Sequence, residues 1–337
     1  MTTTGGPAAG LPPREARCQA VPGNAPKHTI RTKHTHGFME KKRVLVVGAN
    51  GFTGRRILDD LSQDAGFHAI GCSLHADLCP GTGHGFVQAD VTDEHSVRQL
   101  FDELHPDVVV NTAAQSATGY CEAHHEEARR INVDAVGVLA ACCEQHGAKL
   151  IHLSSDFVFG GDTDRPYTED DTPRPLNYYG QTKLESERLV ASTCTDYAIA
   201  RVVVVYGCPL PGQHGNIVQL VANRLRNNEC VRVADDQWRT PTFVDDVAQG
   251  VRLLIAQGGK GIYHICGDES LSIADLALRV ADVLGLDRSL VLPVPTGEMG
   301  EDTPRPRFSS LSIGKARREL GYRPRSIDEG LRLTFGL

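Results

Sequence analysis

Long hydrophobic runs are missing from this chain. No stretch approaches the roughly 18 apolar residues of a membrane-spanning helix, so no such span and no membrane partner are expected. Excess positive charge is missing too. Lys and Arg number 35 against 42 Asp and Glu, a formal net charge of -7, which argues against a general binder of nucleic acid or anionic lipid. The ten cysteines contain no Cys-x-x-Cys, and no secretory signal precedes them. Reduced, mostly buried thiols in a cytoplasmic protein are expected. Histidines show no ligand spacing such as His-x-x-x-His, so no metal site is expected. What remains is ordinary for a globular protein: 40% hydrophobic and 23% charged residues over 337 positions, enough for two domains or one with a large insertion.

Residues 1–38 lack apolar periodicity. They carry Gly-Gly, several prolines and threonines, and Arg14, Arg17, Lys27, Arg31 and Lys33 against the single Glu15. That composition predicts a disordered, basic extension. It has no serine and no amphipathic pattern to suggest a transit peptide, and His28, His34 and His36 have no scaffold for a metal. Met39-Glu40 then stands just before the first predicted strand.

Residues 43–47 form an apolar run of the buried parallel-strand type. It leads into Gly48-Ala49-Asn50-Gly51-Phe52-Thr53-Gly54, then into a helical pattern with Ile57 and Leu61 on one side. Strand, glycine-rich turn and helix N-terminus together make a pyrophosphate cradle, because the backbone can approach the anion and free N–H groups face it. Further strands are predicted at 68–72, 86–90, 108–114 and 149–153, with helical stretches between them, the clearest over 122–146 and closed by Gly147. The alternation predicts an α/β fold: a Rossmann-type doubly wound parallel sheet whose ligands lie beyond the strand carboxyl ends. An NAD site wants a carboxylate soon after the second strand. Here Cys72-Ser73-Leu74-His75 offers none, and Asp77 comes late. Ser73, His75 or Arg55 suits a 2′-phosphate instead. NADP(H) is therefore favoured, with NAD(H) left open.

Chemistry concentrates in Asn177-Tyr178-Tyr179-Gly180-Gln181-Thr182-Lys183, with Ser154-Ser155-Asp156 upstream. Tyr179 and Lys183 are four apart and share one helix face. An ammonium beside a phenol favours phenolate and pulls its pKa down toward working pH, while a serine hydroxyl can hold a carbonyl. Ser155 follows the fifth predicted strand, where the topology places ligands.

With these pieces placed, the chain resembles the extended short-chain dehydrogenase/reductases from about residue 42 onward. Within them it most resembles dTDP-4-dehydrorhamnose reductase and the related methionine adenosyltransferase regulatory β subunit. The resemblance rests on Gly48 to Gly54, Asp90-Val91, Asn111-Thr112-Ala113-Ala114, Ile131-Asn132-Val133-Asp134, Ser154 through Phe159, Pro175 through Gly180, Arg201 through Gly207, Thr240-Pro241-Thr242 and Arg305-Pro306-Arg307. It implies that Ser155, Tyr179 and Lys183 are catalytic. Ser155 would orient a carbonyl, Tyr179 would donate the proton, and Lys183 would hold the nicotinamide ribose and lower the tyrosine's pKa. Gly48, Asn50, Gly51, Phe52, Thr53, Gly54, Ser73, Asp90, Val91, Thr112, Ala113, Ala114 and Asn132 would serve the cofactor beside Tyr179 and Lys183, Asn132 by supporting a relay water. Asp156, Phe157, Arg239 and Arg305 would meet a nucleotide-sugar substrate.

Departures narrow this. Dehydratases of the group look like Thr-Asp-Glu where this chain has Ser155-Asp156-Phe157, and Phe157 cannot act as a base. Rhamnose-forming reductases look like Thr-Ser-Trp-Val-Tyr where this chain has Val203-Val204-Val205-Tyr206, without the aromatic over the sugar. Arg55-Arg56 stand where some carry an acid at a metal-bridged dimer contact, so no bridging metal is expected in a homodimer. The leading expectation is an NADP(H)-dependent reductase of a 4-keto-6-deoxy nucleotide sugar. The alternatives are a cofactor-binding regulatory subunit partnered by a methionine adenosyltransferase catalytic subunit, and an NAD-dependent epimerase, disfavoured by the missing ribose carboxylate.

Residues 39–207 are thus expected to form the NAD(P)-binding domain. Residues 208–337 would mainly form a smaller C-terminal substrate-binding lobe, with some segments returning to the sheet. In that half, helices are predicted at 217–225, 272–284 and 313–320, a loop at 238–242, and a late strand at 261–266 with a structural His264. Arg239 is a candidate for a diphosphate, as are Arg305 and Arg307. Asp245 or Asp246 is expected to cap the helix that follows Phe243.

Overall fold

The computed structural model describes residues 41–300 and 302–337. The expectations for the 1–38 extension, its histidines and the Met39-Glu40 start lie outside the described residues. Thirteen strands and eleven α-helices follow one another within them. Seven strands make the central sheet: β1 (Lys42–Val47), β2 (Phe67–Ser73), β3 (Gly85–Gln88), β4 (Val108–Asn111), β5 (Lys149–Ser155), β6 (Tyr197–Val202) and β11 (Gly261–His264). Their order is β11-β6-β5-β4-β1-β2-β3 and every pairing is parallel. The order reverses between β1 and β4, the switch point where a doubly wound sheet opens a crevice. Three small pairs lie outside it: β7 (Val205–Tyr206) with β10 (Thr242–Phe243), β9 (Trp238–Arg239) with β12 (Leu271–Ser272), and β8 (Val231–Ala234) with β13 (Val291–Val294).

The helices are α1 (Phe52–Gln63), α2 (Glu94–Leu104), α3 (Thr118–Ala123), α4 (His125–Arg129), α5 (Ala135–His146), α6 (Tyr178–Thr193), α7 (Ile217–Arg226), α8 (Val244–Ala256), α9 (Ile273–Leu284), α10 (Gly314–Leu320) and α11 (Ile327–Phe335). Period-two alternation sends β1 side chains to both faces of the sheet. Val44 and Val46 join Ile57 and Leu61 of α1 and Val247 and Val251 of α8. Leu45 and Val47 join Val97 and Phe101 of α2 and Leu139 of α5. Burial on both faces is why these strands read as unbroken apolar runs. A separate cluster packs α7, α9 and α11 around β8 and β13.

Three expectations are corrected. The helix read over 122–146 is three segments, with a π-turn at Arg130–Asp134 between α4 and α5. Within that π-turn, Asn132 bonds its amide to the Gln115 backbone and to Thr182. Nor does Asp245 or Asp246 cap α8: the N-cap is Phe243, without a side-chain bond, while Asp245 pairs with Arg56 and Asp246 with Arg325. The loop read at 238–242 is organised into β9 and the start of β10.

Candidate active site

The turn after β1 is built by close backbone approach. Gly48 has φ +81°, and a Cβ there would lie 2.7 Å from Ala113 N and 2.7 Å from Thr112 Oγ1. A Cβ on Gly54 would stand 2.3 Å from the Gly48 carbonyl oxygen. Thr112 Oγ1 donates to the Val47 carbonyl at 2.7 Å and so ties the end of β4 to this turn. Gly51, the N-cap of α1, supplies no side-chain cap, and the first turn of α1 holds no acid. Uncapped N–H groups on a glycine turn are the donors that a pyrophosphate needs.

Several cofactor-side expectations change in detail. Asn50 turns its amide to the next loop, donating to the His75 and Ala76 carbonyls at 3.1 and 2.8 Å and accepting from Leu78 N. Arg55 does not face a 2′-phosphate. It is buried, donating to Asp59 at 3.0 Å, Asp77 at 2.7 Å, Thr82 and the Cys79 carbonyl. That leaves half-exposed Ser73 and exposed His75 on this side. Asp90 accepts from Thr92 N and Oγ1, shaping its own turn beside half-buried Val91. Asn132 is fully buried, its Oδ1 accepting from Gln115 N at 2.8 Å and its Nδ2 donating to Gln115 O and Thr182. Both of its Nδ2 donors are therefore engaged by protein rather than offered to a relay water.

Beyond the carboxyl end of β5, Ser155 and Tyr179 share one corner. Asn177 caps α6, accepting from Gly180 N at 2.8 Å. A Cβ on Gly180 would sit 2.2 Å from the Phe157 carbonyl oxygen, so this glycine lets the first turn of α6 press onto the turn that carries Ser155. Phe157 meets the Tyr179 ring edge-on, with centroids 5.8 Å apart. Burial pushes the Tyr179 phenol above its ordinary pKa, nearby Asp156 adds to this, and the Ser155 hydroxyl opposes it. The expected lowering by Lys183 does not dominate. Lys183 Nζ donates instead to the Leu153 carbonyl at 2.6 Å and lies 3.2 Å from His152 Nε2. Burial brings its ammonium down to about 8, against the pull of Glu187.

Asp156 and Arg239 belong to the scaffold of this corner rather than to its open side. Both are 2% exposed, with Arg239 Nε 3.5 Å from Asp156 Oδ2. Ser155 Oγ donates to Asp156 Oδ1 at 3.0 Å, and Ser309 Oγ donates to Oδ2. Arg239 also donates to the Trp238 and Pro306 carbonyls at 2.8 and 2.7 Å. The diphosphate role expected for Arg239 is therefore corrected: its donors are buried against Asp156 and the 306–307 backbone. Arg305 is half-buried, and its charge acts on Arg239. Reasoning from sequence quoted Asn111 and Gly180 within its matching stretches without giving either a role, and missed Ser309 and His152. Only Gly180 carried a local signal, as a glycine inside a helix.

The profile of the RmlD substrate binding domain family matches residues 42–335. The chain is 34% identical to the dTDP-4-keto-6-deoxy-D-glucose reductase of Streptomyces niveus, over 84% of this chain and 92% of that protein. It is 33% identical to methionine adenosyltransferase 2 subunit beta of Bos taurus, over 81% of this chain and 84% of that protein. The crystal structure of dTDP-4-dehydrorhamnose reductase from Bacillus anthracis str. Ames in complex with NADP superposes with a TM-score of 0.75 at 27% identity, covering 88% of this chain and 99% of that one. The chain belongs to the RmlD substrate binding domain family, the dTDP-4-dehydrorhamnose reductase-like branch of the NAD(P)-dependent oxidoreductases.

Proposed function

We propose that this protein reduces the ketone of a 4-keto-6-deoxy nucleotide sugar with NADP(H), dTDP-4-dehydrorhamnose being the simplest candidate. One observation carries the reading: Ser155 and Tyr179 meet beyond β5, beside the glycine cradle, with Phe157 where a dehydratase would need a second acid–base group. The cradle fits a dinucleotide, because the space at Gly48 and Gly54 is closed to side chains and the α1 N-terminus is uncapped. Gly48 to Gly54, Ser73, Asp90, Val91 and Thr112 to Ala114 would hold it, and when bound it supplies the hydride. Ser155 orients the carbonyl oxygen, and Tyr179 passes its phenol proton to that oxygen as negative charge develops there. A phenol held above its ordinary pKa keeps its proton until the nascent alkoxide takes it, which suits reduction. Lys183 would hold the nicotinamide ribose.

We assign residues 208–337 mainly to a substrate lobe, with β11 and α8 returning to the sheet, and Arg305 to the substrate's diphosphate. We expect a cytoplasmic protein, in keeping with nine free cysteines among the described residues, and a homodimer without a bridging metal. A second reading, a regulatory subunit, is favoured by the similarity to the Bos taurus subunit and by the withdrawal of Arg239 from the ligand side.

NADPH oxidation with dTDP-4-dehydrorhamnose tests the first reading. Tyr179→Phe should lower turnover by about 10²–10⁴-fold, the usual worth of a positioned acid. Wild-type protein that binds NADPH but leaves this sugar unreduced overturns the rhamnose assignment. Capture of a methionine adenosyltransferase catalytic subunit would then support the second reading.

A further inference from the structure

Behind Lys183 lies a chain of buried polar groups that the reduction itself does not use. Asn111 ends β4, His152 lies opposite it in β5, and Ser186 lies on α6; all three are buried. The hydrogens in this chain can be placed from its fixed ends. Ala113 N donates to Asn111 Oδ1 at 3.1 Å, so the amide's other end, Nδ2, faces His152 Nδ1 at 3.3 Å. Nδ2 can only donate, so Nδ1 accepts, and the proton of a neutral imidazole sits on Nε2. Nε2 is 3.0 Å from Ser186 Oγ, whose own hydroxyl donates to the Lys183 carbonyl at 2.8 Å. Nε2 itself lies 3.2 Å from Lys183 Nζ, and with its lone pair replaced by the N–H that serves Ser186 it has nothing with which to accept from an ammonium. Lys183 thus meets a donor on the imidazole where an ammonium would want an acceptor.

We propose that His152 is a positioning residue acting through Lys183: Asn111 locks it as the Nε2–H tautomer, and that N–H favours the amine of Lys183 over its ammonium while the Leu153 carbonyl holds the nitrogen in place. Burial acts in the same direction on Lys183, and both burial and Lys183 keep His152 neutral. The other charged groups around Lys183 are accounted for. Glu187 of α6, which favours the ammonium, is itself clamped by Arg201 of β6 at 2.9 and 2.7 Å. Asp156, after β5, is held by Arg239 from β9. Tyr179, one helical turn away, is kept as a neutral phenol. Once the phenol has given its proton to the substrate oxygen, an ammonium at Lys183 that passes one proton to the phenolate is left as the amine that this N–H favours, and the amine takes its replacement proton from solvent water. The catalytic value of the device rests on the reductase reading, but its test does not.

In the full-length protein labelled with 15N-histidine, two-bond 1H–15N spectra should show His152 with its proton on Nε2 across the neutral range. Labelling with 13Cε-lysine gives the Lys183 titration, assigned by the signal lost in Lys183→Arg. His152→Gln can turn a carbonyl toward the amine without adding charge. Asn111→Asp keeps its shape and its bond from Ala113 but draws the imidazole proton to Nδ1. Each should raise the Lys183 titration by on the order of one pH unit. A wild-type His152 protonated on Nδ1, or a Lys183 titration unmoved in both variants, overturns the proposal. Failure of the sugar assay leaves these spectra untouched and counts against the reductase reading alone.

Discussion

Gly54 and Gly180 occupy places where any side chain would collide with a carbonyl, and each collision has a different consequence. At Gly54 a Cβ would lie 2.3 Å from Gly48 O, inside the cradle. Gly54→Ala should therefore weaken NADPH binding at least about tenfold, roughly 1.4 kcal/mol, in a fluorescence titration of folded protein. An unchanged Kd would show that the turn does not hold the dinucleotide. At Gly180 the same argument concerns the approach of α6 to Phe157, and hence the distance from Tyr179 to Ser155. The spacing of Tyr179 and Lys183 was legible because a helix places positions four apart on one face. Their protonation was not. It depends on burial and, for Tyr179, on Asp156 and Ser155, all supplied by segments distant in the chain.

At the scale of elements, the turn after β5 is joined to segments of the C-terminal half of the chain by buried charge. Asp156 reaches Arg239 of β9 and Ser309 ahead of α10, while Arg239 reaches the backbone at 306. Breaking one side of a buried pair strands the other charge. Arg239→Met should thus cost about 3–5 kcal/mol in denaturant unfolding, and adding Asp156→Leu should restore part of it. A loss below about 1 kcal/mol would mean that the pair is solvated in solution. This link explains why Arg239 was misread: an arginine in a predicted loop looks available until its partner, 83 positions earlier, is placed beside it. Helix α6 was legible from its good helix formers, and its Asn177 cap supplies the start. The π-turn at Arg130–Asp134 was not, and the partners of its Asn132, Gln115 and Thr182, lie 17 and 50 positions away.

At the scale of the whole molecule, two histidines among the described residues are buried uncharged. Burial holds His152 well below its ordinary pKa, with Lys183 adding to this, and burial with Arg201 beside it brings His264 down to about 3. The unfolded chain takes up these protons near pH 6.5, before the folded one does. Stability should therefore fall as pH drops below about 6.5, by up to about 1.4 kcal/mol per unit for each group. The share of His264 levels off below about 3. Burial raises Asp156 and Asp246, so in the folded state they bind protons earlier and oppose this trend lower down, in the carboxylate range. Unfolding midpoints at about pH 6.5 and 5 check the prediction. A flat profile would mean that one or both imidazoles reach solvent. The sequence by itself determined the parallel sheet, the glycine cradle, and the presence of a serine, tyrosine and lysine near the strand ends, because those depend on periodicity and spacing along one chain. Only the tertiary structure decided which side chains were free to act. It buried Arg55 and Arg239 in ion pairs, closed Asn132 into a helix turn, and set His152 against Lys183, since burial and hydrogen-bond partners come from residues that sequence distance does not bring together.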